Sequence, residues 1–130
     1  MKHKIQIKKE YETYDLVNII STATYACSYW CEAIDYNADE YKEAKTRLMA
    51  GRIESVCHEE ILVEMLETGK SIYFIDGKDE SINELTLKKL LRGIKKNAEA
   101  RPWDCDLNNW DMDTMDCIIQ YALFNKTVYV

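Results

Sequence analysis

Ser71-Ile72-Tyr73-Phe74-Ile75-Asp76-Gly77-Lys78-Asp79-Glu80-Ser81-Ile82-Asn83-Glu84-Leu85 is the stretch that decides the fold class. Ile72 to Ile75 is apolar and rich in β-branched and aromatic side chains, Asp76-Gly77 opens a turn, and Ser81 to Leu85 alternates apolar with polar residues. That order predicts a β-hairpin. A hairpin alone is marginal in water, so a further strand and packed helices are required. The candidates for the further strand are terminal. His3 to Lys8 alternates Ile5 and Ile7 with polar neighbours, and Thr127 to Val130 has the composition of a short closing strand.

Around the hairpin the apolar spacing changes to three and four residues. Leu16, Ile20, Ala23, Cys27 and Trp30 form a stripe that predicts a helix from Thr13 to Cys31. Two more helices are expected at Asp39 to Ala50 and Ile53 to Glu67. In the second, Ile53, Val56, Cys57, Ile61, Met65 and Leu66 share a face, and Gly69 stands where a C-cap belongs. Thr86 is placed to cap a helix from Leu87 to Ala98, with Leu87, Leu90, Leu91 and Ile94 turned inward and Lys88, Lys89, Arg92, Lys95 and Lys96 mostly outward. Arg101 to Trp110 is a polar, aromatic loop, and Asp111 or Asp113 caps the last helix. Ile118, Ile119, Tyr121, Leu123 and Phe124 exceed one narrow stripe, so that helix is expected to be contacted on more than one side. The expected architecture is α+β: one domain over residues 1–130, with a small antiparallel sheet of hairpin plus terminal strand packed against four to five helices.

Composition narrows the function classes. At 130 residues the chain buries roughly two-thirds of its extended surface on folding. One proline and four glycines leave little room for linkers. There is no apolar run of membrane-spanning length and no basic-then-apolar start, which predicts a cytoplasmic protein without a membrane partner. Five cysteines read as reduced, buried thiols. A formal net charge of -6 disfavours direct nucleic-acid binding and favours basic partners.

Motifs that would carry chemistry fail on spacing. If Asp104 opens a calcium loop, the turn position is Asn109 instead of glycine and the bidentate position is Met115 instead of glutamate. Cys27 and Cys31 share a helical face but lack two further ligands. Cys57 and His58 are adjacent, and neighbours on a helix point about 100° apart, so one does not activate the other. No glycine-rich phosphate loop, Gly-x-Ser-x-Gly or His-Glu-x-x-His occurs. The expectation is a protein that is not an enzyme and uses neither metal nor cofactor.

Asp116-Cys117-Ile118-Ile119-Gln120-Tyr121-Ala122-Leu123-Phe124, with Ser28-Tyr29-Trp30-Cys31 and the helix start Glu84 to Ile94, resembles a group of small phage and prophage proteins of Gram-positive bacteria. That group carries a Tyr-Trp-Cys near the end of its first helix and an Asp-x-Ile-Ile-Gln-Tyr-Ala-Leu-Phe segment followed by Gly-Glu-x-Val-Tyr. Here Met115, Asn125 and Lys126 replace the group's alanine, glycine and glutamate, and the Asp39 to Gly69 stretch is longer than its connector. The resemblance implies a phage setting and a host-cell cytoplasmic location, and it implies no activity.

The long stretch is also the acidic one. Glu32 to Glu67 holds ten acidic residues against four basic ones. With Tyr36, Tyr41, Trp103 and Trp110 as aromatic anchors and Glu59, Glu60 and Glu64 as the charged face, it suggests a non-enzymatic, anti-CRISPR-like inhibitor that binds a basic surface of a host defence protein. The alternative is a small-ligand or nucleotide sponge that grips phosphate with Lys88, Arg92, Lys95 and Arg101. A third class is a structural or regulatory phage protein acting through self-association.

Overall fold

A computed structural model describes residues 10–101 and 111–130. The elements run α1 (Thr13–Ala26), β1 (Cys31–Tyr36), α2 (Ala38–Met49), α3 (His58–Glu67), β2 (Ile72–Asp76), β3 (Ile82–Leu85), α4 (Leu87–Ala100) and α5 (Met112–Phe124). The architecture is α+β, with a three-stranded antiparallel sheet in the order β1-β2-β3. β2 and β3 are the expected hairpin. Buried Asp76 shapes its turn, because Asp76 Oδ1 accepts the Lys78 amide at 2.7 Å and the Asp76 carbonyl accepts the Glu80 amide at 2.9 Å. Ile72 and Phe74 on the same face are buried.

The third strand is Cys31–Tyr36 and not a terminal one. Residues 127–130 form no strand; the Gln120 side chain holds the backbone of Val128 and Tyr129 instead. The His3 to Lys8 candidate lies outside the described residues.

The first helix ends at Ala26, short of the expected Cys31. Ser28 Oγ donates to the Tyr25 carbonyl at 2.7 Å, and the chain turns through Cys27 to Trp30 before β1. Both Cys27 and Trp30 are nonetheless buried. The turn keeps a Cys31 amide to Cys27 carbonyl bond at 2.7 Å, so the inward spacing outlasts the helix. In α3 the start moves to His58. Glu60 folds back to accept the Cys57 amide at 3.3 Å and fixes the N-cap there. Residues 53–57 are therefore a loop: Ile61, Met65 and Leu66 are buried as expected, whereas Ile53 and Cys57 are exposed.

Thr86 Oγ1 accepts the Lys89 amide at 3.2 Å, and Leu90 and Ile94 face the core, although Leu91 is 43% exposed. Helix α4 lies close against α5 at Gly93, where an added Cβ would stand 2.5 Å from the Ile118 carbonyl oxygen and 2.8 Å from Ala122 Cβ. α5 is capped by Asp111, whose Oδ1 accepts the Thr114 amide at 2.9 Å. It packs against α1, α4 and β3, and so is contacted on several sides. It ends at Asn125 in the left-handed conformation, φ 66°, a position that glycine or asparagine commonly fills. Among the described residues no helix is long and apolar enough to cross a membrane.

Candidate functional site

Two side-chain constellations stand out, one inside the fold and one on its surface. The interior one is centred on Asp116, an acid in an otherwise apolar stretch of α5 that is 6% exposed. Its Oδ1 accepts the Trp30 indole N–H and the Gln120 amide, both at 2.9 Å, and its Oδ2 accepts the Tyr29 hydroxyl at 2.5 Å. The Cys27 thiol reaches Oδ1 at 3.6 Å. Burial, then the hydrogen bond and charge of Asp116, raise the Tyr29 hydroxyl above its ordinary value, and burial followed by the Asp116 charge raises the Cys27 thiol. These groups therefore stay protonated and donate to the carboxylate.

Gln120 extends the network to the C-terminal segment. Its Oε1 accepts the amides of Val128 and Tyr129 at 2.7 and 2.8 Å, while its Nε2 donates to the Tyr129 carbonyl at 3.1 Å. The side-chain amide thus does for this segment what a neighbouring strand would do. The Tyr129 ring stacks on Trp30 with centroids 5.5 Å apart, and its hydroxyl donates a short hydrogen bond to Asp76 Oδ2. Tyr29, Trp30, Asp116, Gln120, Val128 and Tyr129 thus meet in one place. Their chemistry is architectural: a buried carboxylate satisfied by donors, holding three distant segments together.

The surface constellation lies between β1, α2 and α3. Tyr36 and Tyr41 stack with centroids 4.5 Å apart, and the Tyr41 hydroxyl lies 2.8 Å from His58 Nδ1 in a hydrogen bond. Burial, then the neighbouring Tyr36 and Glu59, raise the Tyr41 hydroxyl above its usual value. Asn37 caps α2 between the two tyrosines, accepting the Asp39 and Glu40 amides at 3.0 Å each, and so sets their relative position.

The three glutamates separate. The Glu59 charge acts on the Tyr41 hydroxyl. Glu60 instead pairs with Arg52 at 2.8 Å, and this hydrogen bond holds its carboxyl below the ordinary range. Glu64 pairs with Arg47 at 3.4 Å. Both serve as ties within the α2 and α3 layer. Trp103 and Trp110 lie outside the described residues.

The basic candidates are also partly occupied. Arg92 donates to the Ala122 carbonyl at 2.9 Å, satisfying a last-turn acceptor of α5. Arg101 reaches Asp113 and Cys117 at 3.4 and 3.2 Å. Lys95 approaches Glu99 at 4.0 Å, and Lys88 is exposed. Sequence reasoning missed the Asp116 network and the part played by His58. The available signal was Asp116 and Gln120 within an apolar helix, since buried polar residues require partners. Among the described residues no group of three or more His, Cys, Asp or Glu is placed to hold a metal ion. No family model, curated protein or solved structure matches the chain.

Proposed function

We propose that this chain is a phage-encoded, non-enzymatic inhibitor that docks on a basic surface of a host defence protein, in the manner of an anti-CRISPR protein. The observation that carries this reading is the pattern of charge pairing across the acidic stretch. Arg47 and Arg52 are taken up by Glu64, Glu60 and Glu54, and Glu40 pairs with Lys70. Among the described residues, Glu32, Asp35, Asp39, Glu43 and Glu59 have no cation within ion-pair distance. Of these, Asp35 adjoins Tyr36 in β1 and the Glu59 charge acts on the Tyr41 hydroxyl, so negative charge flanks the half-buried Tyr36 and Tyr41 pair. Unpaired carboxylates around aromatic anchors give fast, oriented encounter with a basic surface, while the rings supply apolar contact. The nucleotide-sponge alternative is weaker, because Arg92 and Arg101 already donate to α5.

The test is phage plaquing on hosts that express the chain and carry active, targeting CRISPR immunity. Expression should restore plaques in at least one such host. Glu59→Lys combined with Tyr41→Ala should remove the protection while circular dichroism reports a retained fold. Unchanged immunity in every host tried, together with no binding to the purified effectors, would reject the reading.

A further inference from the structure

β1 is an edge strand. β2 pairs with one side of it, and among the described residues nothing pairs with the other. The Tyr36 amide is satisfied by the adjacent carboxylate, Asp35 Oδ1 at 2.8 Å, and not by a neighbouring strand. Glu32, Ala33 and Asp35 are exposed. Beside the strand lies a cleft of about 260 Å³ lined by Ala23 and Thr24 of α1, by Glu32, Ala33 and Ile34 of β1, and by His58. A strand edge that no other strand pairs with among the described residues thus borders a space able to take side chains.

We propose that a basic, extended segment of the partner protein adds to the free edge of β1 as a fourth strand. The inference rests on the basic partner of the proposed function and specifies how that partner is held. Charge selects the occupant. Acids on an edge strand are a usual guard against edge-to-edge association. A second copy of β1 would bring Glu32 and Asp35 of both chains together and is repelled. A strand carrying lysine or arginine at alternate positions meets the same acids favourably, so the guard becomes a filter. Main-chain hydrogen bonds supply the affinity of such an addition, and alternate side chains, one of them in the cleft beside His58, supply the selectivity. Tyr36 lies at the end of the strand and stacks on Tyr41, so the aromatic pair borders the incoming segment.

The experiment pans a displayed random heptapeptide library against the intact chain. Enriched sequences are then synthesised unmodified and with backbone N-methylation at alternate residues. The expected winners carry lysine or arginine at alternate positions, bind saturably and shift the amide resonances of Ile34 and Tyr36. They should lose about tenfold or more in affinity on N-methylation in one of the two alternate registers, and a similar factor against Glu32→Lys or Asp35→Lys. Winners that keep full affinity when N-methylated in both registers would overturn strand addition while leaving the basic-partner reading intact. Winners that shift resonances elsewhere, winners without basic residues, or no enrichment over the starting library would also overturn it. The plaque assay decides the inhibitor reading separately.

Discussion

Asp116 shows how one residue can be held by demand on all sides. Truncating it leaves the Trp30 indole and the Gln120 amide as buried donors without their acceptor, so Asp116→Ala is expected to cost about 3 kcal/mol or more, read from the urea midpoint. Gly93 is constrained by space and not by backbone freedom. With Ile118 O only 2.5 Å from the added methyl, Gly93→Ala should force α4 and α5 apart and cost about 3 kcal/mol, the upper end of ordinary overpacking. Asn125 is the opposite case. Its left-handed φ of 66° makes Asn125→Ala unfavourable by about 1 kcal/mol, whereas Asn125→Gly should leave the melting temperature equal or higher.

At the scale of elements, a loop now separates α2 from α3, and Ile53 lies fully exposed within it. Ile53→Ser should therefore change stability by no more than about half a kcal/mol in thermal melts; a core position would lose several times that. The apolar periodicity that put Ile53 on a helical face has no information about where a helix begins. Glu60 decided that, by returning to the Cys57 amide. Elements with a local stop signal were legible: the Asp-Gly hairpin turn, Thr86, Asp111 and Gly69. β1 was not, because Cys31 to Tyr36 shows no clean alternation and its strand character comes from pairing with β2. The candidate site was legible as a set of residue types on one stretch. Which glutamates remain unpaired was not, since Arg47 and Arg52 find their partners only when α2 and α3 are folded together.

Across the whole molecule, titration links the C-terminal segment to stability. The hydrogen bond to Asp76, then burial, push the Tyr129 hydroxyl from 10.0 up to about 12. A raised folded-state value means this contribution is complete below pH 10 and is lost as pH climbs toward 12. Tyr129→Phe should lower the melting temperature at neutral pH and flatten its decline between those limits, as followed by calorimetry. On the acid side the sign reverses. Glu60, held below its usual value of 4.5 chiefly by the hydrogen bond from Arg52, contributes above that pH and less as protonation proceeds. The Gln120 clamp has a kinetic consequence as well. It joins residues 91 positions apart in the case of Tyr29, and Asp116 meets Trp30 across 86. Closing such spans precedes any reward from the contacts made, so these contacts are expected to form after the helices and to slow folding relative to helix formation. During synthesis on the ribosome, Trp30 and the hairpin turn must wait for the Val128 and Tyr129 segment to emerge. Until then the indole has the Phe74 ring on it but not the Tyr129 ring, and the nascent chain is the species most open to chaperones and proteases.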